Sequence, residues 1–135
     1  MLAVTSYPQA RIDAARAEAD AAVAAFDALP ASPARAALET LFFNNLLVAL
    51  DARFTHRVRN QEGKDGNPLN EVRVLCEAIT ENGAVMVAPI KSVKLKPETS
   101  VLGLAEGDAI ALDRAAFATI ADAYLAELAA RYGEG

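Results

Sequence analysis

Apolar positions recur at helical spacing in four stretches of this chain and turn to alternation in one. Over residues 9–29, Ile12, Ala15, Ala19, Ala22 or Val23, and Phe26 fall on one narrow seam, the period of an amphipathic helix. Most of the intervening residues are alanine, the best helix former. A seam of small side chains lets a neighbouring backbone approach closely, which predicts self-association through this helix. Pro30 ends the stretch, Ser32 offers an N-cap oxygen, and Pro33 suits the first turn of a second helix. So short a connection predicts an antiparallel helical hairpin.

The second helix is expected to span Pro33 to Arg59, roughly 40 Å at the usual rise. Phe42, Phe43, Leu46, Leu47, Leu50 and Phe54 cover a broad arc of it, the pattern of a central bundle helix. Asn44, Asp51 and Thr55 project from the other side and are expected to meet water. Asn45 sits at the edge of the arc, in line with Leu38, Phe42 and Ala49, where a buried amide needs hydrogen-bond partners. Arg53 and Arg57 continue the apolar direction with His56 beside them, so the core face turns basic in its last two turns. Three readings follow: an overhang into water, a polar pocket, or an internal salt bridge with Glu62, Asp65 or Glu71.

Residues 60–66 (NQEGKDG) form a turn-rich loop. Asn67 and Pro68 then start a third helix, Pro68–Glu81, stopped at Asn82-Gly83. Its core stripe is Leu69, Val72, Cys76 and Ile79, beside a polar stripe of Asn70, Arg73, Glu77 and Glu81. Beyond Gly83 the period becomes extended. AVMVAPI (84–90) is β-rich but contains Pro89, SVKLK (92–96) alternates, and Glu106-Gly107-Asp108 turns into AIAL (109–112). Asp113 caps a last helix, Arg114–Tyr132, with Phe117, Ile120, Tyr124, Leu125 and Leu128 on its core side. The expected fold is mainly α (α+β), with about four helices and a small antiparallel β element between the third and fourth. It forms a single helical domain over 1–135 with its β-containing segment at about 84–112.

Composition narrows the class. With 135 residues, 53% hydrophobic and 23% charged, the chain has the make-up of a globular domain. One cysteine excludes an intrachain disulfide and fits a reducing compartment. No apolar run nears the ~20 residues of a membrane span, and the N-terminus MLAVTSYPQARIDAAR lacks the basic lead and apolar core of a signal peptide. A cytoplasmic location is therefore expected. The net charge of −5 disfavours nucleic acid. Residues 53–96 nevertheless carry eight basic and five acidic groups, a net of +3 against −8 elsewhere, which would steer an anion toward the middle of the chain.

Catalytic signatures are missing from the sequence. A single His and a single Cys leave no metal-ligand spacing. Cys76 lies on an apolar stripe and reads as a buried, inert thiol. Neither a nucleophile elbow nor a phosphate-binding glycine loop is present. Leu102, Gly103, Gly107 and Asp108, within VKLKPETSVLGLAEGDAIAL, resemble half of the swapped hairpin of AbrB-type DNA-binding proteins. The preceding strand lacks that family's basic, proline-containing signature, and a glycine turn entering a strand accounts for the same residues. The leading expectation is a non-enzymatic, self-associating protein, most simply a homodimer, with no cofactor. The alternative, with enzymatic activity left open, is a binder of a small anionic ligand using His56, Arg57, Arg59, Lys64, Asn67, Asn70 and Arg73. Arginine forks suit carboxylate or phosphate, and the start of the third helix adds positive potential.

Overall fold

Three helices begin at a side-chain cap that the sequence announces. In the computed structural model, which describes residues 3–87 and 94–134, the helices are α1 (Gln9–Asp27), α2 (Pro33–Ala52), α3 (Pro68–Glu81) and α4 (Arg114–Tyr132). Ser32 accepts from Arg35 N, Asn67 from Leu69 N and Asn70 N, and Asp113 from Ala116 N. Each bond satisfies an N–H that a helix start otherwise leaves without a partner. No helix among the described residues is long and apolar enough to cross a membrane.

The helices share one apolar core. Phe43, Leu47, Leu50 and Phe54 meet Leu69, Val72 and Leu75, and Phe117, Ile120, Tyr124 and Leu128 complete it. The seam of α1, Ile12, Ala15, Ala19 and Phe26, is buried, and α1 packs against α4 and α2 of its own chain. The seam expected to mediate self-association is thus covered internally. Helix α3 packs against both α2 and α4, which also touch each other and α1, and it buries even Asn70 and Glu71.

Two expectations for α2 need correction. The helix ends at Ala52 rather than Arg59. Phe54 is fully buried, and the chain then becomes extended so that the N-terminal segment can pair with it: Val4 N donates to His56 O at 2.8 Å and Val58 N to Val4 O at 2.7 Å. A continued helix would deny Val4 both partners. The second correction concerns the polar side chains. Asn44 and Asp51, expected in water, are 5% and 8% exposed, whereas Asn45 is exposed and bonds only to Leu41 O one turn back.

The small antiparallel β element does not form. Among the described residues there is no strand; residues 84–112 contribute a single antiparallel bridge, Val85 with Ala109. The expected runs 84–90 and 92–96 fall partly on residues 88–93, which lie outside the described residues. AIAL does alternate, with Ile110 and Leu112 buried and Ala109 and Ala111 exposed, but its second edge meets a helix. Asn44 Nδ2 donates to Ile110 O at 2.8 Å and Leu112 N donates to Asn44 Oδ1 at 3.0 Å. One side-chain amide supplies both bonds that a neighbouring strand would have made. Glu71 acts similarly on the next loop, accepting from Val101 N and Leu102 N at 2.8 and 3.0 Å.

Truncating Asn44 therefore strands a buried carbonyl and a buried N–H, each costing about 1–3 kcal/mol. Asn44→Ala is expected to lower unfolding free energy by about 2–4 kcal/mol in urea titrations, while Asn45→Ala stays within about 0.5 kcal/mol of wild type. Equal effects of the two would contradict this division of labour.

Candidate functional site

Behind the end of α2 lies a line of alternating charge: Asp51, Arg57, Glu62, Arg73. The Arg57 side chain is 2% exposed. Its Nη2 and Nε donate to Glu62 Oε1 at 2.7 and 3.2 Å, and Nη1 reaches Phe54 O at 2.8 Å and Asp51 Oδ1 at 3.3 Å. Tyr124, fully buried on α4, donates its hydroxyl to the same Asp51 oxygen at 2.8 Å. Arg73 Nη2, from α3, closes on both oxygens of Glu62. Glu62 is itself 2% exposed.

Protonation in this cluster follows from burial set against partners. Burial pushes the Glu62 carboxyl up, but the bonds from Arg73 and Arg57 overcome it and hold the group below its ordinary value. Burial likewise disfavours the charged form of Arg57, yet the Tyr124 oxygen, Glu62 and Asp51 hold the guanidinium above its usual range. The Tyr124 hydroxyl is raised by burial and by Asp51, against Arg57. Burial also raises the Cys76 thiol, with Asp51 adding to it, so this cysteine is a protonated, inert group.

The loop over 60–67 is shaped around Glu62. Its carbonyls accept from side chains: Asn67 Nδ2 and Arg131 Nη1 on Glu62 O at 2.7 and 2.8 Å, and Asn70 Nδ2 on Gly63 O and Asp65 O at 3.2 and 2.8 Å. Gly63 has a φ of +75°, accessible at little strain to glycine. At Gly66 a Cβ would stand 2.8 Å from Lys94 O and 3.0 Å from Leu95 Cα, so only glycine admits the passing chain. The bridge between Asp65 and Lys94 forms at this crossing.

The residues singled out in the sequence separate into three groups. Arg57, Arg59 and Arg73 line a common groove of about 300 Å³ between the end of α2 and α3. Asn67 and Asn70 are buried beneath the loop, with their amides engaged by its backbone. His56 and Lys64 are exposed and do not line the groove; their carbonyls hold Val4 N and Lys94 N. The groove is completed by Val48, Asp51, Ala52 and Thr55 on one wall and Cys76, Glu77 and Thr80 on the other. Asp51, Glu62 and Glu77 were not among the residues singled out for the site. The signal for Asp51 lay in its spacing from Asn44: Asn44, Leu47 and Asp51 stand at i, i+3 and i+7, a single line along a helix.

No family model matches the chain, and no curated protein or solved structure matches it either. Among the described residues, no group of three or more His, Cys, Asp or Glu side chains could hold a metal ion.

Glu62 is the group whose loss should be felt most. Its carboxyl is depressed from an ordinary value of 4.5, so its contribution to stability is complete above about that pH and disappears as pH falls through the lower folded value. Glu62→Gln takes the carboxylate from Arg73 and leaves Arg57 with Asp51 alone, and removing one partner of a buried pair costs about 3–5 kcal/mol. Wild-type stability is expected to fall steeply on acidification below pH 4.5. The variant should be weaker at neutral pH and show a shallower acid slope. Parallel stability-versus-pH curves for the two proteins would contradict this account.

Proposed function

We propose that this protein acts by self-association, with the outer face of α2 as its interface. The observation that carries the reading is an absence of charge where charge belongs. Every exposed residue of α2 is uncharged: Pro33, Ala34, Ala36, Ala37, Leu38, Thr40, Leu41, Asn45, Ala49 and Ala52. Leu41 is 64% exposed and Leu38 39%. Ala34, Ala37, Leu38, Leu41, Asn45, Val48, Ala49 and Ala52 lie within about a third of the helix circumference, with Leu41, Asn45, Val48 and Ala52 along its middle. The charged residues Arg35 and Glu39 stand off this stripe, and Arg35 lies over the Phe26 ring at 4.9 Å.

A helix apolar on nearly all sides belongs inside a structure, yet one face of α2 is open to water. A second copy of the chain is the favoured occupant. With a net charge of −5, two copies repel one another, and that repulsion is least where neither presents a charge. The 20-residue helix offers a contact line of about 30 Å, and its alanines permit close backbone approach across a twofold axis.

Sedimentation equilibrium on the full chain provides the test. Wild type should be a dimer at micromolar concentration, and Leu41→Glu a folded monomer with an unchanged helical circular-dichroism signal, less stable only by what association contributes. Ala19→Glu should instead destabilise the fold, because Ala19 is 7% exposed inside it. A wild type that remains monomeric through the micromolar range would overturn the proposal.

A further inference from the structure

The groove between α2 and α3 has two walls with the same spacing. Val48, Asp51, Ala52 and Thr55 face Arg73, Cys76, Glu77 and Thr80, each set at i, i+3, i+4 and i+7, so the α3 wall is about 10 Å long. At about 300 Å³ the space sits at the small end of the range for ligand sites, roughly 300–1,000 Å³.

Its polar groups are not all spent on the fold. Asp51 receives Arg57 and Tyr124 on Oδ1, and Oδ2 accepts from no group among the described residues. Arg73 uses Nη2 on Glu62, leaving Nε and Nη1 without an acceptor among the described residues. Arg59 and Glu77 are exposed and enter no ion pair among the described residues. Charge balance restricts what can bind. Arg57, Arg59 and Arg73 are matched by Asp51, Glu77 and the Glu62 carboxylate on which two of them converge. A bare anion upsets this balance, and so does a bare cation.

We propose that the groove binds a small zwitterion of the α-amino-acid type. Its carboxylate sits between Arg59 and the free edge of Arg73, where a planar fork suits two oxygens. Its ammonium faces Asp51 Oδ2 and Glu77, and its apolar remainder lies over Val48 and Ala52. The site does not depend on the self-association proposed above, although Val48 and Ala52 belong to both surfaces.

The test is an amide chemical-shift titration of the full-length Leu41→Glu variant, so that self-association does not enter the result. The probes are the standard α-amino acids, then 4-methylpentanoate and isopentylamine as relatives of leucine that lack one charge each, and inorganic phosphate. Saturable shifts confined to residues 48–59 and 73–80 are expected with at least one apolar amino acid. Either singly charged relative should bind roughly tenfold more weakly or less. Arg59→Ala and Glu77→Gln, both at exposed positions, should keep the fold and weaken binding by about the same factor. Phosphate or 4-methylpentanoate binding as well as the amino acids would overturn the proposal in favour of a plain anion site. Absence of localised shifts at millimolar concentration with every amino acid would overturn it outright.

Discussion

Taking a carboxylate out of water costs several kcal/mol unless it is neutralised and hydrogen-bonded, and Glu62 is 2% exposed. It is neutralised twice, by Arg57 and Arg73. Much of the surrounding chain path follows from that demand. Arg57 points inward just after α2 stops at Ala52 and the chain turns through Phe54, where its backbone straightens. The straightened backbone then receives Val4, which ties the N-terminal segment to the core. Arg73 approaches from α3, and the loop between the two arginines closes over Glu62 with its carbonyls held by Asn67, Asn70 and Arg131.

The region between α3 and α4 is secured by a different device. Where a sheet was expected, individual side chains take over the role of neighbouring strands. Asn44 grips residues 110–112 and Glu71 grips 101–102, each through one donor–acceptor pair or one carboxylate. A side chain can satisfy two backbone groups at one place but cannot repeat along an edge, so the extended segments never propagate into a ladder. Buried amides and carboxylates thereby carry much of the specificity that strand pairing would otherwise supply.

These arrangements give α2 three surfaces with separate uses. One packs the core through Phe43, Leu47 and Leu50. A second, carrying Asn44 and Asp51, serves the extended segment and the charge line. The third faces outward without a charged residue. Self-association through the third face would bring two grooves into one interface, since Val48 and Ala52 belong to both.

Local chemistry was legible along the chain. The starts at Ser32, Asn67 and Asp113 and the extents of α3 and α4 follow from capping residues, prolines and apolar period, all of which act within a few residues of one another. An internal salt bridge from the end of α2 to Glu62, Asp65 or Glu71 was also among the readings the sequence allowed. What the sequence by itself did not settle was which polar residues go inside. Asn44 and Asn45 are adjacent and chemically identical, yet one is buried and the other exposed, because only Asn44 faces the carbonyl of Ile110 and the N–H of Leu112, 66 and 68 positions away. Asp51 is buried for a similar reason, the Tyr124 hydroxyl reaching it from 73 positions along the chain. The end of α2 and the absence of a sheet depend on Val4 and Asn44 in the same way. Helix caps and periods are local properties and can be read from neighbours in sequence. The burial of a polar group is decided by a partner that only the tertiary fold brings within hydrogen-bonding distance.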